Sequence, residues 1–123
     1  MQLKRVVVTG LGALTPIGNN IEEYWTALVN GVSGAAPITH FDASKSKTRF
    51  ACEVKNFNPT DYINRKDARK MDKFTQYAMV ASDEAIADAN LDLETINKLR
   101  VGVIWGAGIG GLETFQNEVL NYA

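Results

Sequence analysis

The sequence is poor in the residues that build covalently or metal-braced folds. One cysteine, Cys52, and one histidine, His40, occur in 123 residues. A single thiol excludes an internal disulfide and any cysteine-based metal cluster, and no metal-ligand spacing involves the lone imidazole. No apolar run approaches the roughly 20 residues that cross a bilayer. At the start, Lys4 and Arg5 precede only Val6-Val7-Val8 before Thr9-Gly10. That is too short for a signal peptide and makes the cytoplasm the expected compartment. Neither sign of charge dominates: 13 Lys and Arg face 14 Asp and Glu, a net charge of -1, which gives no reason to expect a nucleic-acid partner. With 46% hydrophobic and 22% charged residues, the composition is that of an ordinary water-soluble domain or part of one.

What is present is punctuated by glycine. Residues 5–9, with three consecutive valines, read as a buried strand bounded by Gly10. Gly10-Leu11-Gly12 and Thr15-Pro16-Ile17-Gly18 form a long turn. Asn20 with Glu23 three residues on predicts a capping box for a helix over 21–30, with Ile21, Trp25, Leu28 and Val29 on one face and Gly31 as its stop. Residues 32–46 read as loop with a turn at Asp42, 48–54 as an exposed strand, and Asn58-Pro59 as a break. A basic stretch over 65–73 leads into a helix over 74–90, where Phe74, Ala78, Ala81, Ala85 and Ala89 recur at three and four and imply tight packing. After a connector over 91–99, residues 101–105 form a second continuous apolar strand, followed by glycines and a helix over 112–120.

This order implies an α/β fold whose strands are apolar on both faces. Two core strands are too few for a sheet covered on both sides. The chain therefore reads as an incomplete domain, with its valines and Trp105 left for another part of a protein to cover.

Four groups could carry chemistry. Gly106-Ala107-Gly108-Ile109-Gly110-Gly111 matches the spacing of a dinucleotide loop between strand and helix. It could hold a phosphate at a helix N-terminus or let backbones approach closely near a site. The acidic residue expected about 20 positions later is not in the chain. In Gly10-Leu11-Gly12, Thr15 stands at the third glycine position, so a structural turn is expected there. Lys66, Arg69, Lys70 and Lys73 are spaced i, i+3, i+4, i+7 and would share one helical face, either solvated or docking an acidic protein. Cys52 is expected to be a small buried residue, and His40, twelve residues away, is its conceivable catalytic partner.

Taken together, the motifs resemble the N-terminal part of the β-ketoacyl-[acyl-carrier-protein] synthases, nearest to the chain-elongating type II enzymes. The matching residues are Arg5-Val6-Val7-Val8-Thr9-Gly10-Leu11-Gly12, Thr15-Pro16-Ile17-Gly18, Trp25, Leu28, Gly31-Val32-Ser33-Gly34, Phe41-Asp42, Arg69-Lys70-Met71-Asp72, Tyr77-Ala78, and Val101-Gly102-Val103-Ile104-Trp105 with the glycine loop. The resemblance implies a thiolase-like fold of two βαβαβαββ halves, of which residues 1–123 would be an incomplete first half, and a homodimer. It implies decarboxylative Claisen condensation of an acyl-enzyme with malonyl-carrier protein in fatty acid elongation, without a redox or nucleotide cofactor.

It also implies that the family's cysteine nucleophile and two histidines lie beyond Ala123, so that neither Cys52 nor His40 is catalytic and the chain alone is inactive. Lys66, Arg69 and Lys70 match the acyl-carrier-protein docking surface. Ile109, with Gly108, matches the acyl-pocket loop near the dimer interface. A nucleotide-binding module at 106–111, or a non-catalytic partner subunit with the same fold, are the alternatives.

Overall fold

A computed structural model describes residues 3–123, so the first two residues of the 1–123 span lie outside it. The chain divides into two units, Ala13–Asn58 and Pro59–Ala123 together with residues 3–12.

In the first unit, the Thr15–Gly18 turn closes on itself. The Thr15 N–H donates to the Gly18 carbonyl at 2.8 Å, and the Thr15 hydroxyl donates to the same oxygen at 3.1 Å. Helix α1, Ile21–Val29, starts where the sequence predicts, with Asn20 Oδ1 accepting from the Glu23 N–H at 2.8 Å. The reciprocal arm lands one residue early: Glu23 Oε2 accepts from the Asn19 N–H at 2.8 Å rather than from Asn20. Gly31 sits at φ +67 and ends the helix. Its N–H donates to the Leu28 carbonyl at 3.1 Å, and that of Val32 to the Ala27 carbonyl at 2.9 Å, the paired bonds that a left-handed residue makes possible.

Strand β1 is Ala36–Pro37 and β2 is Phe50–Ala51, paired antiparallel with Ala36 opposite Ala51 and Pro37 opposite Phe50. The expected strand over 48–54 thus contracts to two residues, and its partner lies inside the stretch expected to be loop. Two residues have no period to read, and Pro37 brings no N–H to the ladder. The turn at Asp42 forms as expected, its carboxylate accepting from the N–H and the hydroxyl of Ser44 at 3.0 and 3.1 Å.

The second unit is built on one long helix. Helix α2, Arg65–Ala68, is a single turn capped by Asn64, and helix α3, Lys73–Asp88, follows after a break. Asn90, at φ +51, closes α3 with bonds from its own N–H to Ala87 and from that of Leu91 to Ile86, so the expected helix over 74–90 begins one residue earlier and ends two sooner. Residues 10–12 lie along α3. A Cβ on Gly10 would strike the Ala85 carbonyl and come within 2.7 Å of Ala89 Cβ, and one on Gly12 would strike the Ala81 carbonyl. The Leu11 N–H donates to Asp88 Oδ2 at 2.8 Å. The alanine spacing therefore marks a surface where two backbones meet, with no room for a side chain between them. Gly10-Leu11-Gly12, expected as a structural turn, forms no turn; it packs as a close-approach segment against α3.

The two expected core strands do not form. The β1–β2 pair is the one sheet among the described residues, and residues 5–9 and 101–105 pair neither with each other nor with a third strand. A ladder needs a neighbouring strand, and an apolar run supplies only side chains for burial. Those side chains are open: Val6 is 90% exposed, Ile104 99% and Trp105 51%, as expected of an incomplete sheet. Helix α4, Leu112–Tyr122, likewise leaves Leu112, Phe115, Val119 and Leu120 exposed.

Gly12→Val tests the contact with α3. In the longest stable form of the protein it is expected to cost about 1–3 kcal/mol or more through overpacking, read as a lowered urea midpoint. An unchanged midpoint would show that residues 10–12 are not pressed against Ala81.

Candidate functional site

The basic stretch does not form one helix. Arg65 and Lys66 lie in α2, Arg69 and Lys70 in the turn after it, and Lys73 opens α3. The break is enforced by hydrogen bonding. The buried Gln76 side chain donates from Nε2 to the carbonyls of Ala68 and Met71, at 2.9 and 3.2 Å, satisfying acceptors that a continuing helix would use. Lys66, Arg69 and Lys70, all exposed, line one shallow depression with Asn64 and Arg65. Among the described residues none of these four cations makes an ion pair. Lys73 departs from the group, with its Nζ 3.1 Å from Glu113 Oε2. Arg65 was not singled out in the sequence; its membership in the charge run was the available signal.

The glycine loop lies at the opposite end of the same turn. Gly111, at φ +75, is the N-cap of α4, and is the one residue of 106–111 with positive φ. The Asp72 carboxylate accepts a hydrogen bond from the Thr114 hydroxyl, and its Oδ2 lies 3.2 Å from where a Cβ on Gly111 would stand. A carboxylate from the chain itself thus occupies the start of α4, where a bound phosphate would meet like charge. Gly106 and Gly108 have open space around them, and Ile109 is 79% exposed. The loop therefore offers an uncovered apolar side chain and a helix start already facing an anion.

Cys52 and His40 do not form a catalytic pair. Cys52 is exposed, not buried as expected, because the strand that was to enclose it is reduced to Phe50–Ala51. The His40 ring faces Glu53 instead, Nε2 to Oε1 at 3.9 Å. Glu53 gathers that loop, accepting from the Thr39 hydroxyl at 2.7 Å and from the Thr39 and His40 N–H groups at 3.1 and 3.4 Å. A cleft of about 270 Å³ in the same unit is lined by Thr15, Ile17, Asn19, Glu23 and Lys55 among others. Its polar groups are taken up internally: Asn19 donates to the Lys55 carbonyl at 2.9 Å and Lys55 Nζ to the Gly34 carbonyl at 3.2 Å. Among the described residues, no group of three His, Cys, Asp or Glu is placed to hold a metal ion, and no helix is long and apolar enough to cross a membrane.

Comparison with known proteins decides the family. The model of the β-ketoacyl synthase N-terminal domain matches residues 3–122. The chain belongs to the β-ketoacyl synthase family. A 3-oxoacyl-[acyl-carrier-protein] synthase 2 of Synechocystis sp. is 48% identical over 118 residues, covering 96% of this chain and 28% of that protein. A crystal structure of a β-ketoacyl synthase from Burkholderia phymatum STM815 superposes with a TM-score of 0.73 at 28% identity, over 98% of this chain and 31% of that one. A third match, at 27% identity and a TM-score of 0.60, covers 78% of this chain and 25% of the other. It is a ketosynthase, bound to a hexaketide, in complex with a type II polyketide acyl-carrier protein. The chain thus spans under a third of the length of these relatives. Its α/β fold is a partial thiolase-like ketosynthase fold, as the family resemblance implies.

The Glu53 cluster anchors the loop in this chain. The Thr39 hydroxyl chiefly, with the N–H groups and the His40 ring adding to it against partial burial, holds the Glu53 carboxyl below its usual 4.5. A depressed carboxyl stabilises the fold above its unfolded value, and the contribution is lost as pH falls through the lower folded value. The Glu53 carboxyl resonance should therefore titrate with a midpoint under 4.5, and the Thr39 amide shift should follow the same curve. A midpoint at or above that value would contradict the anchor.

Proposed function

We propose that these 123 residues are the leading part of a 3-oxoacyl-[acyl-carrier-protein] synthase, an acyltransferase of fatty acid elongation that works as a cytoplasmic homodimer. In its reaction a cysteine thiolate takes the acyl group from its carrier and expels the carrier thiol. Malonyl-carrier protein then loses carbon dioxide, and the electron pair left behind attacks the acyl thioester, releasing the enzyme thiolate. Two histidines assist this step, one stabilising the developing oxyanion. None of these groups is in the present chain, and Cys52 and His40 stand apart from the chemistry. No cofactor is required.

The chain contributes recognition. The observation that carries this reading is the set of unpaired cations, Lys66, Arg69 and Lys70 with Arg65 beside them, around one depression. A small acidic carrier protein is steered to such a surface and oriented by it. The ketosynthase that pairs with an acyl-carrier protein among the structural matches supports the same partner here. Ile109, flanked by Gly108 and Gly110, forms part of the wall of the acyl pocket. The exposed apolar residues of 101–105 and α4 are the surface that the rest of the polypeptide and the second subunit cover.

The nucleotide reading of residues 106–111 finds no support, because Asp72 already faces the start of α4. Titration with NAD or ATP is expected to give no heat of binding.

The test uses the full-length protein with acyl- and malonyl-carrier protein, which should yield carbon dioxide and the β-keto product; absence of both would refute the reading. Lys66→Glu combined with Arg69→Glu should weaken carrier binding roughly tenfold and flatten its dependence on salt. Unchanged affinity would return this surface to ordinary solvated charge.

A further inference from the structure

The basic turn and the glycine loop meet at one place. The first ends in Met71-Asp72, the second in Gly110-Gly111, and three interactions join these ends. Asp72 Oδ1 accepts from the Thr114 hydroxyl. Lys73 pairs with Glu113 at 3.1 Å. The Phe74 ring lies so close to Gly110 that a Cβ there would stand 2.8 Å from Cε1. Immediately before this clamp, Ile109 is exposed, and nothing approaches the positions a Cβ would take on Gly106 or Gly108. The loop is gripped at one end.

We propose that Asp72 is a positioning residue that sets acyl-chain selectivity by fixing the end of the loop that carries Ile109. This rests on the reading of Ile109 as part of the pocket wall. Glycines on both sides of Ile109 offer no side-chain resistance to backbone movement, so where Ile109 stands depends on where Gly111 is pinned. Among the three interactions, the Lys73–Glu113 pair joins two long side chains at the surface, 47% and 67% exposed, and such pairs contribute little. The Phe74 contact is apolar and sets no direction. The Asp72–Thr114 hydrogen bond is short-armed and directional, and its base is rigid. The Asp72 carbonyl accepts from the Thr75 and Gln76 N–H groups at 3.0 and 3.1 Å, and Gln76 in turn holds the Ala68 and Met71 carbonyls. The carboxylate therefore ties the first turn of α4 to the segment that presents Arg69 and Lys70. It touches no substrate and acts through Ile109.

The test compares full-length enzymes carrying Thr114→Val, which removes the hydroxyl at nearly constant shape, Thr114→Ser, which keeps it, and Asp72→Ala. The readouts are kcat/KM for long and short acyl-carrier substrates and the Kd of the carrier. Freed from its pin, the wall yields to longer chains. Thr114→Val and Asp72→Ala should each raise the long-to-short ratio about fivefold, the size of one hydrogen bond's net contribution. The double variant should go no further than either alone. Thr114→Ser should match the parent enzyme, and the carrier Kd of Thr114→Val should stay within about twofold. An unchanged ratio in a Thr114→Val enzyme that condenses and melts like the parent would overturn the proposal, and it stands as the test even where Asp72→Ala fails to fold. Ile109→Phe in the same assay separates the two readings. If it shortens the accepted chain while Thr114→Val does nothing, the positioning role alone falls. If it also leaves the profile unaltered, the pocket wall is wrong and the role of Asp72 falls with it.

Discussion

Helix α3 is the member on which the second unit depends. Toward its C-terminal end, Ala81, Ala85 and Ala89 let the backbone of residues 10–12 lie directly against helical carbonyls, an approach that any side chain larger than hydrogen at Gly10 or Gly12 would forbid. At its N-terminal end, the Gln76 side chain donates to the carbonyls of Ala68 and Met71, Phe74 supports Gly110, and Asp72 reaches Thr114. One helix thus holds the first glycine segment, the basic turn and the second glycine loop, three pieces far apart in sequence.

The local signals were legible because local physics settles them. Asn20 and Gly31 mark the ends of α1 through side-chain and left-handed caps, and the alanine spacing gives away α3 and its close packing. The basic turn was harder to read. Four cations at helical spacing suggest one face, yet Asp72 starts a new helix and a buried glutamine five residues after Met71 bonds the carbonyls of Ala68, at the end of α2, and of Met71, in the turn. The glutamine was the overlooked signal, a polar residue on the face that also buries Val80. The two apolar runs read as strands for a sound reason, since β-branched residues suit a covered sheet. Pairing is a property of two segments, and no neighbouring strand meets either run here. Cys52 shows the same dependence: its burial was inferred from a strand that extends over two residues only.

The pattern of exposure links structure to role. Valines, Ile104, Trp105 and the apolar stripe of α4 lie open, which in a finished protein would be a liability for aggregation. Membership in the β-ketoacyl synthase family, with the chain spanning 28% of a curated relative, gives these surfaces a natural covering in the proposed enzyme. The cations of the α2 turn are of a different kind. They make no ion pair among the described residues, and in the proposed enzyme they would meet the carrier protein. Substrate chemistry, on this account, is done elsewhere, while this portion selects what is delivered.

The most direct test of that division is amide hydrogen exchange on the full-length protein, with and without acyl-carrier protein. The account predicts that residues 5–9 and 101–105 exchange slowly throughout, as members of a completed sheet, and that adding carrier slows exchange over residues 65–71. Fast exchange in the two apolar runs, or carrier protection confined to surfaces other than the α2 turn, would contradict it.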